Sequence, residues 1–329
     1  TFSYMKSLVN YQEIENAYNR ISNYATKTPL LSSDLLNKEF SSKIFIKAEN
    51  LQKIGAFKFR GAMNSILKLD DDKKNVLAWS SGNHAQAIAS ACYLTNKNAT
   101  IVMPEDSPIA KLNGTKSWGA NIVTFDRYSE SREEIGTSLA KEINAEIIPP
   151  FDHPDVINGQ GTDGYEIISD CKKNNIHPDV VLCCCGGGGL IAGVSTAIKA
   201  EHPNVPVYAV EPEDYNDTFL SLKNNKITEV DVSKKSICDS LLASKPGELT
   251  FSINKENLSG SLLVSDLEAL KAMKYAFQYF KIILEPGGAV ALASALFNKI
   301  NIKNKTVVII ASGGNVDPDI FEKSLKISI

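Results

Sequence analysis

The chain has 329 residues, 43% of them hydrophobic and 22% charged, with a formal net charge of −3. That length allows two domains of roughly 100–200 residues each, in an ordinary enzyme composition. No basic footprint for nucleic acid is present, no apolar run approaches the roughly 20 residues of a membrane span, and Thr1–Asn10 lacks a secretory leader's basic start and apolar stretch, so a cytoplasmic location is expected.

Met5 reads as a candidate start, with Thr1–Tyr4 a remnant. The first motif is Ala56-Phe57-Lys58-Phe59-Arg60-Gly61-Ala62, just past Gly55 and ahead of a helical pattern. A lysine in apolar surroundings has its ammonium disfavoured, which suits it to Schiff-base chemistry, although many such lysines only reach past the rings to solvent. Val76–Trp79 reads as a strand and Asn83–Leu94 as a helix. Between them lies Ser80-Ser81-Gly82-Asn83-His84-Ala85, whose hydroxyls, amide and free N–H groups offer a site for a carboxylate, or simply an N-cap. Strands at Thr100–Met103 and Asn121–Phe125 follow, then a helical pattern at Glu130–Ile143.

The strand pattern Val180–Cys185 carries three of the six cysteines, Cys183, Cys184 and Cys185; the others are Cys92, Cys171 and Cys238. Consecutive strand residues face opposite ways, which is poor geometry for a disulfide or zinc site, so reduced, buried thiols are expected. Directly after come Gly186-Gly187-Gly188-Gly189-Leu190 and a helical pattern at Leu190–Ala200. Consecutive glycines let backbone N–H groups wrap an anion at the helix start, which indicates phosphate. Gly187-x-Gly189-x-x-Ala192 also satisfies the dinucleotide pattern, with Glu211 placed to meet a ribose, so a nicotinamide-dependent oxidoreductase is the rival reading at this point. The strand Val207–Val210 opens into Glu211-Pro-Glu213-Asp214-Tyr215-Asn216-Asp217, carboxylates of the kind Mg²⁺ or Ca²⁺ prefers or a plain acidic loop. A helix is expected at Leu267–Phe280, then a strand at Val307–Ala311 that opens into Ser312-Gly313-Gly314-Asn315.

Continuous apolar strands separated by helices predict an α/β protein with two open, twisted, mainly parallel sheets covered by helices on both faces. The block 75–150 reads as a small inserted domain, with 1–74 and 151–329 forming the larger one. Ligands in such folds bind beyond the carboxyl ends of strands, where these loops fall.

In this order the loops around Lys58, Ser80–Ala85, Gly186–Leu190 and Ser312–Asn315 resemble those of the fold-type-II pyridoxal 5′-phosphate (PLP) enzymes, whose fold is that of the tryptophan synthase β-subunit. Within them the chain is similar to the serine/threonine dehydratase and serine racemase group, from about Glu13 to Asp317. The resemblance displaces the nicotinamide reading. It implies that Lys58 carries PLP as a Schiff base and acts as base at the substrate α-carbon. It further implies that Asn83 contacts the cofactor's 3′ oxygen, that Gly186, Gly187, Gly188 and Gly189 hold its phosphate, and that Ser312 meets the pyridine nitrogen. Ser80, Ser81, Asn83, His84 and Arg132 are the implied substrate residues, and Ser81 matches the residue taken as acid or base on the opposite face in racemases. Glu211 and Asp217, with the main-chain carbonyl of Tyr215, match the divalent-ion ligands of metal-dependent racemases, which implies Mg²⁺ or else Mn²⁺ or Ca²⁺. A homodimer is implied as well.

Ser81 and Arg132 favour racemase, whereas Pro150-Phe151-Asp152 resembles the dehydratase version of its loop. Cys238-Asp239-Ser240 departs from the usual Ala-Asp-Gly of both, and Ala243 replaces a racemase serine. The expected activity is therefore dehydration of L-serine, L-threonine or a related β-hydroxy amino acid to keto acid and ammonia, with serine racemase as the alternative. 3-Hydroxyaspartate enters because Arg132 could meet a second carboxylate.

Overall fold

The computed structural model describes residues 1–80 and 82–329; Ser81, expected to be catalytic, lies outside the described residues. The strands are β1 (Leu30–Ser32), β2 (Lys43–Ala48), β3 (Asn75–Trp79), β4 (Asn98–Pro104), β5 (Asn121–Phe125), β6 (Glu146–Ile147), β7 (Val180–Cys184), β8 (Val207–Pro212), β9 (Gly260–Val264) and β10 (Thr306–Ala311). They form a six-stranded sheet in the order β1-β2-β10-β7-β8-β9 and a four-stranded sheet in the order β5-β4-β3-β6. Every pairing is parallel except β1 with β2. The α/β class read from the sequence is the fold observed.

Strand β7 sits between β10 and β8, and all five of its residues are buried. That position explains its unbroken apolar run: a central parallel strand has no solvent face. The helices Gly189–Glu201 and Pro286–Leu296 cover it, the latter buried along its whole length because alanine and glycine let it lie close to the sheet. All six cysteines are buried and unpaired.

The smaller sheet draws its strands from residues 75–147, but its core reaches further. Phe59, Met63 and Ile66, from the helix Lys58–Leu67, belong to the same buried cluster as Val76, Ala78, Ile88 and Ile101. We propose that 75–150 is the smaller domain and the rest the larger, with that helix serving both. The same helix crosses Pro154–Lys173 with backbones touching: a Cβ on Gly159 would lie 2.5 Å from the Gly61 Cα.

A charged network is buried at this crossing. Arg60 donates to Glu166 Oε2 at 2.6 Å and to Glu49 Oε2 at 2.9 Å, and Lys47 donates to Glu166 Oε1 at 2.8 Å. Asp163 lies 3.9 Å from Arg60 with both carboxyl oxygens unpartnered among the described residues. Burial, then the Glu49 charge, pushes its pKa well above the usual carboxylate range. Two cations thus face three buried carboxyl groups.

Candidate active site

The loops after β3, β7 and β10 line one cavity of about 660 Å³, and Lys58 opens into it from the start of its helix. Lys58 is set against Ser312 by backbone: Phe57 N donates to Ser312 O at 3.0 Å and Gly314 N to Gly55 O at 2.8 Å. Its Nζ donates to Pro150 O at 2.8 Å and lies 5.3 Å from the centre of the Phe57 ring. Burial lowers its pKa to about 8. An amine that is partly unprotonated near neutrality is what imine chemistry requires.

Opposite, Gly186–Gly189 form part of the cavity wall. Gly188 has φ +98°, and a Cβ there would lie 2.7 Å from Asn254 Nδ2, while one on Gly187 would lie 2.2 Å from the Phe151 ring. The loop carbonyls are occupied from behind, Gly187 O by Thr250 Oγ1 at 2.7 Å and Gly188 O by Asn254 Nδ2 at 3.2 Å. The helix Gly189–Glu201 starts without a side-chain cap, so its first N–H groups remain for an anion.

Asn83 begins the helix Asn83–Leu94, and its amide orientation follows from its partners. Asn315 Nδ2 donates to Ile54 O and to Asn83 Oδ1, both at 2.9 Å, and Asn83 Nδ2 donates to Glu285 Oε1 at 2.8 Å. Because carbonyl and carboxylate oxygens only accept, one N–H of Asn83 stays available. His84 Nε2 lies 2.9 Å from Ile148 O, which must accept, so Nε2 carries the proton. Nδ1 is then a buried acceptor with no partner among the described residues. Burial, then the Lys58 charge, lowers the His84 pKa to about 3, and the ring is neutral.

A family model described as pyridoxal-phosphate dependent enzyme matches residues 21–313. The chain belongs to that family. It is 44% identical to the L-threo-3-hydroxyaspartate ammonia-lyase of Saccharomyces cerevisiae, over 93% of each chain. It is 42% identical to the serine racemase of Schizosaccharomyces pombe, over 94% of this chain and 95% of that one. The structure of maize serine racemase superposes with a TM-score of 0.90 at 35% identity, covering 96% of this chain and 97% of that one. The cavity fits PLP: a buried amine faces a glycine cradle and an uncapped helix start across a space shared by both sheets.

The cavity of this PLP-dependent enzyme gathers Lys58, Ser80, Asn83, His84, Arg132, Gly186–Gly189 and Ser312. Arg132 stands at the start of the helix Arg132–Glu142, bonded to Glu133 at 3.1 Å, with its side chain 45% exposed. Arg132 is thus an exposed helix-start residue that also lines the cavity. Arg127, bonded to Asp106 at 2.7 Å, stands on the same wall and was not singled out by the sequence.

Glu285 and Lys111 were also missed. Lys111 is buried and donates to Glu285 Oε2 at 2.9 Å and to Asp239 Oδ2 at 2.6 Å, pinning the smaller sheet's side of the cavity to the larger's. Burial opposes its charge, but the two carboxylates outweigh burial and keep it cationic. The available signal was Glu285-Pro286-Gly287-Gly288, a charge and a glycine pair set in an otherwise apolar run.

The acidic loop lies apart, at the end of β8. Glu211 and Asp217 are fully buried. Glu211 accepts from Thr218 N and Phe219 N, both at 2.8 Å, whereas both oxygens of Asp217 lack partners among the described residues. Burial raises Glu211 to about 7, and burial with the Glu211 charge raises Asp217 to about 9. Glu211 also accepts from Ser261 Oγ at 2.6 Å, so the unused oxygens are those of Asp217; an unpartnered buried carboxyl beside a second one is what a hard divalent cation would relieve, and these residues fit such an ion.

Proposed function

We propose that this enzyme removes the α-proton and β-hydroxyl of a small 3-hydroxy amino acid, L-serine, L-threonine or 3-hydroxyaspartate, yielding the keto acid and ammonia. The observation that carries the reading is the buried Lys58 amine, with a pKa lowered to about 8, facing the glycine cradle and Ser312 in one cavity.

In this reading Gly186–Gly189 hold the cofactor phosphate, Asn83 meets the 3′ oxygen with its free N–H, and Ser312 meets the ring nitrogen. PLP supplies the electron sink that makes the α-proton removable. Lys58 takes that proton as general base. The neutral Ser312 does not hold the ring nitrogen protonated as a carboxylate would, which favours expulsion of the hydroxyl. Loss of water leaves an enamine, which hydrolyses to keto acid and ammonia. His84 Nδ1 offers an acceptor to a substrate N–H or O–H, and Ser80 lines the same cavity. Arg132, with Arg127 nearby, suits a second carboxylate, so 3-hydroxyaspartate belongs among the substrates.

The reading includes a divalent ion, Mg²⁺ or else Mn²⁺ or Ca²⁺, on Glu211, Asp217 and the Tyr215 carbonyl, and a cytoplasmic homodimer. Serine racemisation is the second reading, favoured by Ser81 as the group for the opposite face. The test is incubation with L-serine, L-threonine and 3-hydroxyaspartate while keto acid and D-serine are followed. Elimination is expected to lead by about tenfold on at least one substrate, a barrier difference of only about 1.4 kcal/mol. D-serine appearing faster than pyruvate, with no substrate eliminated faster than it is racemised, would make racemase the right assignment.

A further inference from the structure

Tyr215 occupies a position that its expected role as a main-chain ligand does not use up. Its backbone lies in the turn between Glu211 and Asp217, with Tyr215 N donating to Pro212 O at 3.0 Å. Its ring is buried, at 5% exposure. Its hydroxyl leaves the acidic loop altogether and donates to Lys234 O at 2.7 Å, with Val232 O at 3.3 Å sharing the proton. Val232 belongs to the wall of the substrate cavity although 63% of its surface is exposed. Residues 227–237 around it contain neither helix nor strand. The chain then runs directly into Asp239–Ala243, which is cavity wall as well.

Other contacts hold Val232–Lys234 only weakly from outside. Lys234 Nζ pairs with Asp214 at 3.4 Å on the surface, where such a pair adds little. Among the described residues, Ser233 N bonds only to Asp231, two positions earlier. The firm attachments on either side are at Val230, whose N donates to Ser244 O at 2.8 Å, and at Ser236 and Ile237, both bonded to Asp266. Among the described residues, the phenol is therefore the one buried side chain that reaches the middle of this segment.

The geometry points to Tyr215 as a positioning residue that ties the rim of the substrate cavity to the buried carboxylate pair, so that what occupies the pair sets the rim. The cation arm of this inference rests on reading Glu211 and Asp217 as a divalent site. A filled pair fixes the turn, the turn fixes the ring, and the phenol holds Val232 and its neighbours against the cavity. An empty pair, with both oxygens of Asp217 lacking partners among the described residues, leaves the turn and hence the rim looser.

The test compares the PLP-loaded wild type with Tyr215→Phe, which keeps the ring and backbone and removes only the donor. Trypsin supplies the direct readout, since Lys234 and Lys235 are exposed in the segment, and exposed Lys303 elsewhere serves as internal reference. In Mg²⁺, cleavage after Lys234 and Lys235 relative to Lys303 is expected to slow about fivefold in the wild type compared with EDTA, the effect of one hydrogen bond gained. Tyr215→Phe should cleave at the EDTA rate in both conditions, with KM raised about fivefold and kcat little changed. Mg²⁺ should raise the melting temperature of both proteins alike, because cation binding does not need the phenol. A variant that is protected by Mg²⁺ as the wild type is, or whose KM is unchanged, would overturn the tie. So would a wild type whose melting temperature rises with Mg²⁺ while its cleavage ratio stays fixed, a result that does not require the variant to fold. If Mg²⁺ leaves the wild-type melting temperature unmoved, the divalent reading and the cation arm fall together, and the KM of the variant still decides the tie.

Discussion

Among the described residues Lys58 is held by one carbonyl, Pro150 O, and by no carboxylate, so burial acts on its pKa with little opposition. The sign matters for cofactor loading. The unprotonated amine is the form that condenses with an aldehyde, and its fraction rises about tenfold per pH unit up to about 8 and then levels. Reincorporation of PLP into apoenzyme should follow that curve, measured as the rate at which the yellow colour returns between pH 6 and pH 9. A rate independent of pH would show that a step other than the Lys58 amine limits loading. The residue itself was legible, because Phe57 and Phe59 announce apolar surroundings for a single lysine. Glu285 and Lys111 were not, because their role arises only when residues 174 positions apart meet. The same holds for His84, whose tautomer is set by the distant Ile148 carbonyl.

Among the elements, those with a strong period or an unbroken apolar run were legible, and Asn83–Leu94 and Asn121–Phe125 match the sequence reading to the residue. The helix Pro154–Lys173 was not, since Gly159, Gly161 and Gly164 inside it read as breakers until its neighbours are seen. A Cβ on any of the three would meet atoms at 3.0 Å or less, so close packing and not flexibility explains them. The expected helix Leu267–Phe280 runs regularly only over Asp266–Tyr275 and then widens into a π turn that Lys281, at φ 58°, brings to an end. β9 was missed because Gly260-Ser-Leu-Leu-Val sits half-exposed at the sheet edge without strong alternation. The glycine loop makes a firm prediction at this scale. Gly188→Ala forces a side chain into positive φ and against Asn254, a strain of about 1–3 kcal/mol. The variant should bind PLP about tenfold or more weakly by equilibrium titration, while Gly186→Ala, whose Cβ would meet nothing nearer than 3.4 Å, should lose much less. Equal losses at the two positions would mean that loop conformation is not what sets affinity.

For the molecule as a whole, the two-sheet plan was legible from alternating strands and helices, but the joining of the sheets was not. That joining rests on the helix Lys58–Leu67, which lends Phe59, Met63 and Ile66 to the smaller core and Arg60 to the charged network of the larger. The consequence is kinetic. A chain that folded 75–150 first would leave the sockets of those three side chains open to water, losing on the order of 1.5–3 kcal/mol for each. A chain that folded its outer segments first would have to bring 47–60 and 154–166 together around an unfolded stretch before Arg60 and Lys47 found their carboxylates, and a desolvated charge without its partner is costly. Each half-finished state is thus penalised by what the other half supplies, which argues for one cooperative transition despite the insertion. Both tryptophans, Trp79 and Trp118, lie within 75–150, so intrinsic fluorescence reports the smaller sheet while circular dichroism reports every helix. In urea the two signals should fall on a single curve, and a fluorescence midpoint well below the dichroism midpoint would reveal a block that melts by itself.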